Sequence, residues 1–451
     1  MKLRGLLSAA VVLLALAGLV YWSNKAEKAK ENEPDPNAPP KIIDIAKDSI
    51  VRLEIQRDGK ETLVLEKGDN GDWKITAPKS LQADKTSVDS LLATVSKLAS
   101  SRLIEEKVTD LATYGLDAPK LVVLLKQKDG KQLKLLVGDE TPTGSNFFTK
   151  LDGDPRVFTL ASYSKTSIEK SPWDLRDKRL LTFDSKKLSR VDLTAKGSTV
   201  EFGKNAEGAW QIVKPRPLRA DGGAIEQLVG RLRDAKMDTE MSAEETRKAR
   251  AAFARANRVA RVKVTDAAGT QELEVRKSSK DEYYAKSSIL DGVYKVASTL
   301  GEGLDKGLAD LRNKKLFDFG FKELTRIEIR DGDKTAVYEK KDDKWMKDGA
   351  RMDSKSVNAV IDELRGLQAD SFPKTGFTDP YFEVTVVTTD GKREKVLISK
   401  TDDNFYAKRD GEPSIYKLKP ADADRVQALA QGIKEHTEEA DTSEKTDKQK
   451  K

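Results

Sequence analysis

The feature that most constrains the fold of this chain is an internal repeat. Trp73, Trp210 and Trp345 lie at intervals of 137 residues (210 − 73) and 135 residues (345 − 210), each in a short strand-like segment. An interval of this size is that of a small domain, so each copy can bury its own core. The 451-residue chain is therefore expected to fold as three copies of one module.

An amphipathic helix is predicted in the middle of each copy. Asp84, Asp221 and Asp353 each stand four residues before an apolar stripe that has the i, i+3, i+4, i+7 spacing of one helix face. Aspartate in that place is a natural N-cap, because its carboxylate accepts hydrogen bonds from free backbone N–H groups. The three stripes are Val88, Leu91, Leu92, Val95 and Leu98; Ile225, Leu228, Val229, Leu232 and Ala235; and Val357, Val360, Ile361, Leu364 and Leu367.

Alternating apolar and polar runs on both sides of the helix predict β-hairpins. Gly59, Gly197 and Gly332 stand at the turns of the upstream hairpins. Each copy reads as three strands, the helix, four strands and a closing helix, and one of the later strands is aromatic and ends in Lys (FFTK, EYYAK and NFYAK). The predicted class is α+β: three tandem repeats of a mostly antiparallel β-sheet module with one principal amphipathic helix.

The junctions between the copies share a Leu-Arg-Asp/Asn-Lys element. It surrounds Arg176 and Arg312, which we expect to pair with acids or to cap carbonyl groups. These junctions place repeat module 1 at residues 42–181, module 2 at 182–317 and module 3 at 318–435.

The N-terminal segment is typical of a membrane-targeting signal and is not part of a repeat module. Residues 1–24 begin with Lys2 and Arg4, and residues 6–22 carry no charge, which corresponds to about 26 Å of helix. A cleaved signal peptide and an uncleaved signal anchor both fit, and the lack of a small-x-small cleavage site favours the anchor, an N-terminal transmembrane helix. The expected location is the inner (cytoplasmic) membrane, crossed once, with the bulk of the chain in the periplasm.

The segments next to these parts are polar. Residues 25–41 hold four prolines among alternating charges, which predicts a stiff, solvated tether. Residues 436–451 are densely charged, and we expect them to form a disordered tail.

Composition and motifs exclude several chemistries. The chain has no Cys and one His, His436, so disulfides, thiol catalysis and a multi-histidine metal site are ruled out. Lys and Arg number 82 against 75 Asp and Glu, and the signs are interspersed, so nucleic acid is not an expected partner. P-loop, dinucleotide and nucleophile-elbow motifs are missing from the sequence. We therefore expect no enzyme, no metal site and no cofactor.

The second copy differs from the others before its second hairpin. The first copy has Gly-Leu-Asp-Ala-Pro at 115–119 and the third has Gly-Phe-Thr-Asp-Pro at 376–380, whereas the second has the basic segment AEETRKARAAFARANRVAR. We interpret that segment as a basic helix, either a solvated face or a docking surface for an acidic partner or anionic head groups. The candidate partner-docking residues are Arg247, Lys248, Arg250, Arg255, Arg258 and Arg261.

A set of these motifs resembles a known family. The set combines the N-terminal anchor, W-x-I/V-x-x-P, the Asp-capped helix, Y-G-L-D-x-P and L-R-D-K-R-L, and its residues are Trp73, Pro78, Asp84, Tyr114, Gly115, Leu116, Asp117, Pro119 and 175–180. It resembles the bacterial domain-of-unknown-function family 4340. The resemblance implies an accessory role in the cell envelope, beside ABC transporter components of the gliding-motility type, and names no activity.

Three functions compete on this basis. The first is a non-enzymatic, membrane-anchored periplasmic scaffold of an envelope or ABC-transporter-type complex. The alternative is a glycan- or peptide-binding protein that uses clefts between modules, with the recurrent Trp residues or the aromatics Phe148, Tyr284 and Tyr406 as a binding stripe instead of core. The least favoured is a carboxylate-based hydrolase.

Overall fold

The computed structural model describes residues 40–437. The predicted membrane segment at 1–24, nearly all of the tether and residues 438–451 of the predicted tail lie outside the described residues. Within residues 40–437, no helix combines the length and the apolar character that crossing a membrane requires.

The prediction of an α+β chain with antiparallel sheets is confirmed. Three sheets of nine, eight and eight strands form, and every strand pair in them is antiparallel. The chain divides into two compact units, Met1–Lys178 and Arg179–Lys451. The first unit holds the first sheet, and the second unit holds the other two.

The strands have these bounds. The first sheet contains β1 (Ile50–Arg57), β2 (Leu63–Lys67), β3 (Trp73–Ala77), β4 (Leu81–Gln82), β5 (Arg102–Glu105), β6 (Leu121–Gln127), β7 (Gln132–Glu140), β8 (Asn146–Leu151) and β9 (Val157–Ala161). The second contains β10 (Arg190–Ala195), β11 (Ser198–Lys204), β12 (Trp210–Lys214), β13 (Leu218–Arg219), β14 (Asn257–Asp266), β15 (Gly269–Lys277), β16 (Tyr283–Ser287) and β17 (Tyr294–Val296). The third contains β18 (Leu324–Asp331), β19 (Lys334–Lys341), β20 (Lys344–Lys347), β21 (Ala350–Arg351), β22 (Phe382–Thr388), β23 (Arg393–Thr401), β24 (Asn404–Arg409) and β25 (Tyr416–Leu418).

Nine α-helices lie among residues 40–437. They are α1 (Lys85–Ser96), α2 (Ser162–Ile168), α3 (Pro172–Leu175), α4 (Gly222–Arg233), α5 (Ala243–Arg255), α6 (Ser298–Leu304), α7 (Leu308–Leu311), α8 (Ser354–Gly366) and α9 (Pro420–Gln431). Helices α1, α4 and α8 are the principal helices of the first, second and third sheets. Helices α2, α6 and α9 follow strands β9, β17 and β25 and are the closing helices of the three repeats.

All three sheets follow one plan. The first strand lies in the middle, three strands lie successively on one side of it, and the strands after the principal helix lie on the other side. The spatial orders are β4-β3-β2-β1-β6-β7-β8-β9-β5, β13-β12-β11-β10-β14-β15-β16-β17 and β21-β20-β19-β18-β22-β23-β24-β25. The chain must return from an edge strand to the neighbour of the middle strand, so the principal helix crosses one face of the sheet.

The apolar stripe of each principal helix is buried against its sheet. Every stripe residue is at most 7% exposed. The aspartate before each helix is its N-cap, because its carboxylate accepts a hydrogen bond from a backbone N–H of the first turn. The donors to Asp84, Asp221 and Asp353 are the N–H groups of Ser87 at 2.8 Å, Ala224 at 3.0 Å and Ser356 at 2.9 Å. Burying this face supplies most of the stability of such a helix, since the cap contributes only about 1 kcal/mol.

The recurrent tryptophans belong to the same interiors. Trp210 and Trp345 are buried, and Trp73 is half-buried against the core of the first sheet. They fill equivalent positions at or next to the start of the third strand of each repeat, so they act as core side chains and do not form an exposed stripe.

Two sets of short strands are missing from the sequence prediction. The two-residue strands β4, β13 and β21 precede the principal helices, and β5 adds to the far edge of the first sheet. Two residues cannot display an alternating pattern, so periodicity alone does not reveal such strands.

The face of each sheet opposite the principal helix carries ion pairs along the middle strand. Arg52, Arg190 and Arg326 occupy equivalent places at or near the start of the middle strand. Each pairs with the acid two residues on, at N–O distances of 3.2, 3.0 and 3.3 Å. Exposed pairs of this kind contribute about 0–1 kcal/mol each, so they keep this face soluble more than they stabilise it.

In the second unit, a network of partly buried charges joins the second and third sheets. Arg219 on β13 approaches Asp318 with an Nη2–Oδ2 distance of 2.5 Å and donates to the carbonyl of Lys315 at 2.8 Å. Burial lowers the pKa of Arg219, but Asp318 and Tyr416 outweigh that effect and leave its pKa above the ordinary value. The carboxylate of Glu412 completes the network by accepting from Tyr416 at 2.6 Å.

Arg312 at the same junction departs from expectation. It was expected to pair with an acid or to cap a carbonyl group. Instead its guanidinium stacks on Phe372, 3.6 Å from the ring centroid, and donates to the hydroxyl of Ser414 at 2.8 Å. Burial lowers the pKa of Arg312. A delocalised guanidinium tolerates this apolar setting because it is more weakly hydrated than an ammonium group.

The third sheet is also bound to the residues that follow its closing helix. Glu435 forms a bridge with Met352, and the N–H of His436 donates to the carbonyl of Arg351 at 2.8 Å. The ordered chain therefore continues past residue 435, where the sequence predicts the tail to begin.

The network at this junction predicts unequal effects for two Arg→Met substitutions in the second repeat. Arg219→Met leaves Asp318 without its main partner, and we expect it to lower the free energy of unfolding of the second unit by about 2–3 kcal/mol. Arg233→Met is the matched control: its pair with Asp234 is 58% and 68% exposed, against 18% and 30% for Arg219 and Asp318, so we expect a change below about 0.5 kcal/mol.

Urea unfolding followed by amide hydrogen exchange in residues 210–219 and 314–320 measures both effects. Equal destabilisation by the two substitutions would contradict a stabilising role for the network.

Candidate docking site

The face opposite the principal helix is partly covered in each sheet, and the cover differs. In the first sheet the loop at 106–119 folds over β6 to β9, and Leu116 is buried there with Val122, Leu136 and Val157. The ring of Tyr114 packs edge-on against Phe148 with centroids 4.8 Å apart. The cover is close: a Cβ at Gly138 would lie 2.2 Å from the Tyr114 carbonyl oxygen, so only glycine fits there.

In the third sheet the loop at 371–381 occupies the corresponding place. Gly376 has a φ of +119° and lies so close to Tyr406 that a Cβ would meet the ring at 2.5 Å. The ammonium of Lys408 stands 4.7 Å from the centroid of Phe377. The first and third sheets are thus covered by tight loops.

The second sheet is covered by helix α5 instead. Ser242 caps this helix, accepting from the N–H of Glu245 at 3.2 Å while the Glu245 carboxylate accepts from the N–H of Ser242 at 2.7 Å. Ala249 and Phe253 are buried against Tyr284 and Val293 of the sheet. The remaining sides of the helix face outward.

The C-terminal end of α5 is fixed by an arginine of the sheet. The guanidinium of Arg276 lies 4.7 Å from the centroid of Phe253 and donates to the Phe253 carbonyl oxygen at 3.2 Å. The Phe253 carbonyl also accepts from the N–H of Ala256 at 3.3 Å, and the cation interacts favourably with the negative end of the helix dipole. The helix is therefore held at both ends.

A groove of about 640 Å³ opens between α5 and the turn that joins β15 to β16. We call it the helix groove. Alanines of α5 form part of its wall, which leaves room for a bound chain. Its lining residues are Thr239, Met241, Glu245, Lys248, Ala249, Ala251, Ala252, Arg255, Ala256, Asn257, Lys277, Ser278, Ser279, Lys280, Glu282, Tyr284 and Lys295.

Five basic and two acidic side chains line the helix groove. The two acids are engaged internally: Glu245 caps α5, and Glu282 accepts from Lys295 at 3.1 Å and from the hydroxyl of Tyr284 at 2.9 Å. Among the described residues, Arg255 and Lys280 form no direct ion pair, although Lys280 lies close enough to Glu282 to contribute to lowering the pKa of that carboxyl. The groove therefore attracts anionic groups.

The polar cluster in the groove shifts two pKa values in opposite directions. Hydrogen bonds from Lys295 and then Tyr284 lower the pKa of Glu282. Burial, and then the neighbouring Glu282 carboxylate, raise the pKa of Tyr284 to about 12. Tyr284 thus stays a neutral hydrogen-bond donor at the bottom of the groove.

Two of the six predicted docking residues line the helix groove. These are Lys248, which also pairs with Glu244 at 2.7 Å, and Arg255. Arg247 and Arg250 are exposed on α5 away from the groove.

The assignment of the last two to a helix is wrong. Helix α5 ends at Arg255, and Arg258 and Arg261 lie on β14. Arg261 is bound to Glu274 at 2.6 Å and to Glu272 at 3.2 Å, so it belongs to the ion pairs of the sheet. The alternating run NRVARVKV is a strand pattern that the preceding basic helix obscured.

Sequence reasoning missed the lysines on the opposite wall. Lys277 and Lys280 flank the turn after β15, and Lys295 lies on the edge strand β17. They are 22 or more residues (277 − 255) from the end of α5 in sequence, and only the pairing of β15, β16 and β17 brings them next to it. The second copy lacks the Gly-Leu-Asp-Ala-Pro loop of the first, and this difference was the one sequence feature that indicated a different surface on the second sheet.

The described residues offer little for catalysis. Within residues 40–437, no three His, Cys, Asp or Glu side chains are grouped to hold a metal ion. The buried carboxylates of Glu201, Glu274 and Glu394 each face at least one Lys or Arg. Burial raises the pKa of Glu274, but Arg261 and Arg276 outweigh it and lower the pKa overall, the opposite of what a general acid requires.

Comparison with known proteins identifies a family without an activity. The family model described as "Domain of unknown function (DUF4340)" matches residues 73–209 and 210–381, more than half of the chain. Neither a curated protein nor a solved structure matches the chain. The two matched segments each begin at one of the recurrent tryptophans.

The buried tyrosine of the groove predicts an alkaline titration. The difference in tyrosinate absorbance between the parent chain and Tyr284→Phe reports the ionisation of Tyr284. Because the pKa of Tyr284 is raised, this difference is expected to titrate near pH 12 instead of near the usual value of about 10. Because the folded-state pKa lies above the unfolded one, the neutral phenol stabilises the fold fully below about pH 10 and loses that contribution as the pH rises through 12.

Glu282→Gln serves as the control. It removes the smaller cause and leaves burial, so the midpoint is expected to fall only part of the way towards 10. A difference titration centred near 10 in the parent chain would contradict the buried, bonded position of Tyr284.

Proposed function

The chain belongs to the DUF4340 family, and we propose that it is a non-enzymatic scaffold or accessory protein of a cell-envelope complex of the ABC-transporter type. In this proposal the N-terminal segment anchors it in the inner membrane and the three sheets lie in the periplasm. The observation that carries the proposal is the helix groove, a cationic surface that one repeat has and that tight loops replace in the other two.

The sequence around the modules supports the location. An uncharged run at residues 6–22 follows Lys2 and Arg4, and the proline-rich residues 25–41 separate it from the first sheet. A chain with no Cys is suited to an oxidising compartment, where stray thiols react. The gliding-motility type of transporter remains an expectation from the resemblance.

The alternative, a binding protein with its ligand site between modules, is less well supported. At the junction of the second and third sheets, Arg219 pairs with Asp318 and donates to the hydroxyl of Tyr416 at 3.3 Å, so the polar groups there are bonded within the chain. A closed polar junction leaves no cleft for a glycan there. A carboxylate-based hydrolase is the least supported of the three, because the buried carboxylates face cations.

The proposed location predicts the side from which the modules can be labelled. The parent chain has no Cys, so one introduced cysteine reports one position. In intact cells whose outer membrane has been permeabilised, a membrane-impermeant maleimide is expected to label Lys334→Cys, an exposed position on β19. Lys2→Cys is the control and is expected to react only after the inner membrane is disrupted. Labelling of Lys2→Cys alone would place the modules in the cytoplasm and contradict the proposal.

The proposed scaffold role predicts a stable complex. The full chain with a C-terminal affinity tag, purified from detergent-solubilised membranes of its source cells, is expected to bring a second membrane protein in near-stoichiometric amount. The reason is that a scaffold remains bound to what it organises. A chain that elutes alone after mild solubilisation and after chemical cross-linking would contradict this role.

A further inference from the structure

The three repeats differ in how the chain covers the last edge of each sheet. In the first sheet the segment after the principal helix returns as strand β5 and pairs with β9. The N–H of Ser101 donates to the carbonyl of Thr159 at 2.8 Å, and Leu103 and Glu105 then lie opposite Phe158 and Val157. The chain itself thus supplies the last strand.

The third sheet has a shorter version of the same arrangement. The N–H of Asp370 donates to the carbonyl of Lys417 at 2.8 Å, and the N–H of Lys417 donates to the carbonyl of Ser371 at 2.9 Å. Phe372 then packs against Tyr416 with ring centroids 5.4 Å apart. Both outward backbone groups of Lys417 are therefore occupied.

The second sheet keeps only the first of these bonds. Asp238, which stands at the position of Ser101 and Asp370, donates its N–H to the carbonyl of Lys295 at 3.0 Å. The chain then leaves the edge and enters α5 at Ser242. Among the described residues, the N–H of Lys295 has no acceptor. Edge strand β17 consequently presents a free donor where the other two sheets have a bonded one.

The open edge borders the helix groove. Thr239, Met241 and Lys295 belong to the edge and also line the groove. A strand added along β17 would direct alternate side chains towards the groove, since successive residues of a strand point to opposite faces. Lys248 and Arg255 on one wall and Lys280 on the other would meet those side chains.

We propose that the helix groove binds an extended acidic segment of a partner protein, which adds to the edge of the second sheet as a strand beside Lys295. This inference rests on the proposed scaffold function and specifies the chemistry of its partner. The N–H of Lys295, whose carbonyl already accepts from Asp238, donates a backbone hydrogen bond to the added strand, and acidic side chains at alternate positions pair with the basic walls.

The shape of the site favours a polypeptide over other anions. The basic side chains come from a helix, a turn and an edge strand and are spread along the groove, whereas a phosphate site gathers its donors around one point. The groove is concave, so an extended polypeptide can lie inside it and contact both walls. The free N–H at the edge can also donate to a backbone carbonyl group, which every peptide carries.

A peptide of about ten residues that alternates Glu and Val, fluorescein-labelled, is the probe, with the full chain purified in a neutral detergent. It is expected to bind, to weaken as salt is added, and to slow amide hydrogen exchange in residues 293–296. The triple substitution Lys248→Glu, Arg255→Glu and Lys280→Glu is expected to weaken binding by about tenfold or more, whereas Lys334→Glu, on the third sheet, leaves it unchanged.

Two further peptides separate the parts of the inference. The same peptide with Lys in place of Glu is expected not to bind. A version with alternate backbone nitrogens methylated keeps its charge and loses strand hydrogen bonds, and it is expected to bind at least about tenfold more weakly. Equal binding by the methylated peptide, or unchanged exchange at 293–296, would overturn strand addition, and no binding of the Glu-Val peptide would overturn the inference altogether.

The outcome is separable from that of the scaffold proposal. If the complex isolated from membranes persists with the triple substitution, the groove is not its docking site and the scaffold role stands. If no complex forms with the parent chain, the scaffold role fails regardless of peptide binding.

Discussion

The packing of one amphipathic helix across each sheet is the interaction on which the rest of the molecule depends. The first strand of every repeat ends up in the middle of its sheet, so the chain must travel from the edge strand back to the centre. The helix carries the chain across one face to the far edge, from which the covering segment leads back, and its stripe, for example Val357, Val360 and Leu364, is fully buried there. A helix of this length is marginal alone, so the sheet and the helix stabilise each other.

That arrangement leaves the opposite face of each sheet free to vary. Its ion pairs contribute little to stability, and whatever covers it need not preserve the main core. The first and third repeats use loops whose glycines, Gly115 and Gly376, adopt positive φ angles of 63° and 119°. The second repeat uses a helix with its own cap and its own small apolar contact through Phe253. Diversity between the copies is concentrated on this face, which is where a specialised surface can arise without loss of the fold.

The sequence allows the principal helices to be predicted because their period spans a dozen residues and their caps recur. The hairpins follow from alternation around glycine turns in the same way. The short strands β4, β13 and β21 could not be predicted, since two residues carry no period. In the groove, Lys248 and Arg255 could be found as part of a basic helix, but that helix prediction also took in Arg258 and Arg261, which lie on β14. Lys277, Lys280 and Lys295 join the site only through strand pairing, which depends on contacts distant in sequence.

The basic side chains of the second repeat lie in two different environments, one in which the charge is neutralised and one in which it is not. At the junction with the third sheet, Arg219 is largely buried and meets the carboxylate of Asp318, because a buried guanidinium without a partner would cost several kcal/mol. In the helix groove, Arg255 and Lys280 are exposed and form no direct ion pair among the described residues, so folding depends little on their charge. Charge that the fold does not neutralise remains available to attract another molecule. The free N–H of Lys295 beside these side chains adds direction to that attraction, since it can donate to a backbone carbonyl of a strand that lies along β17.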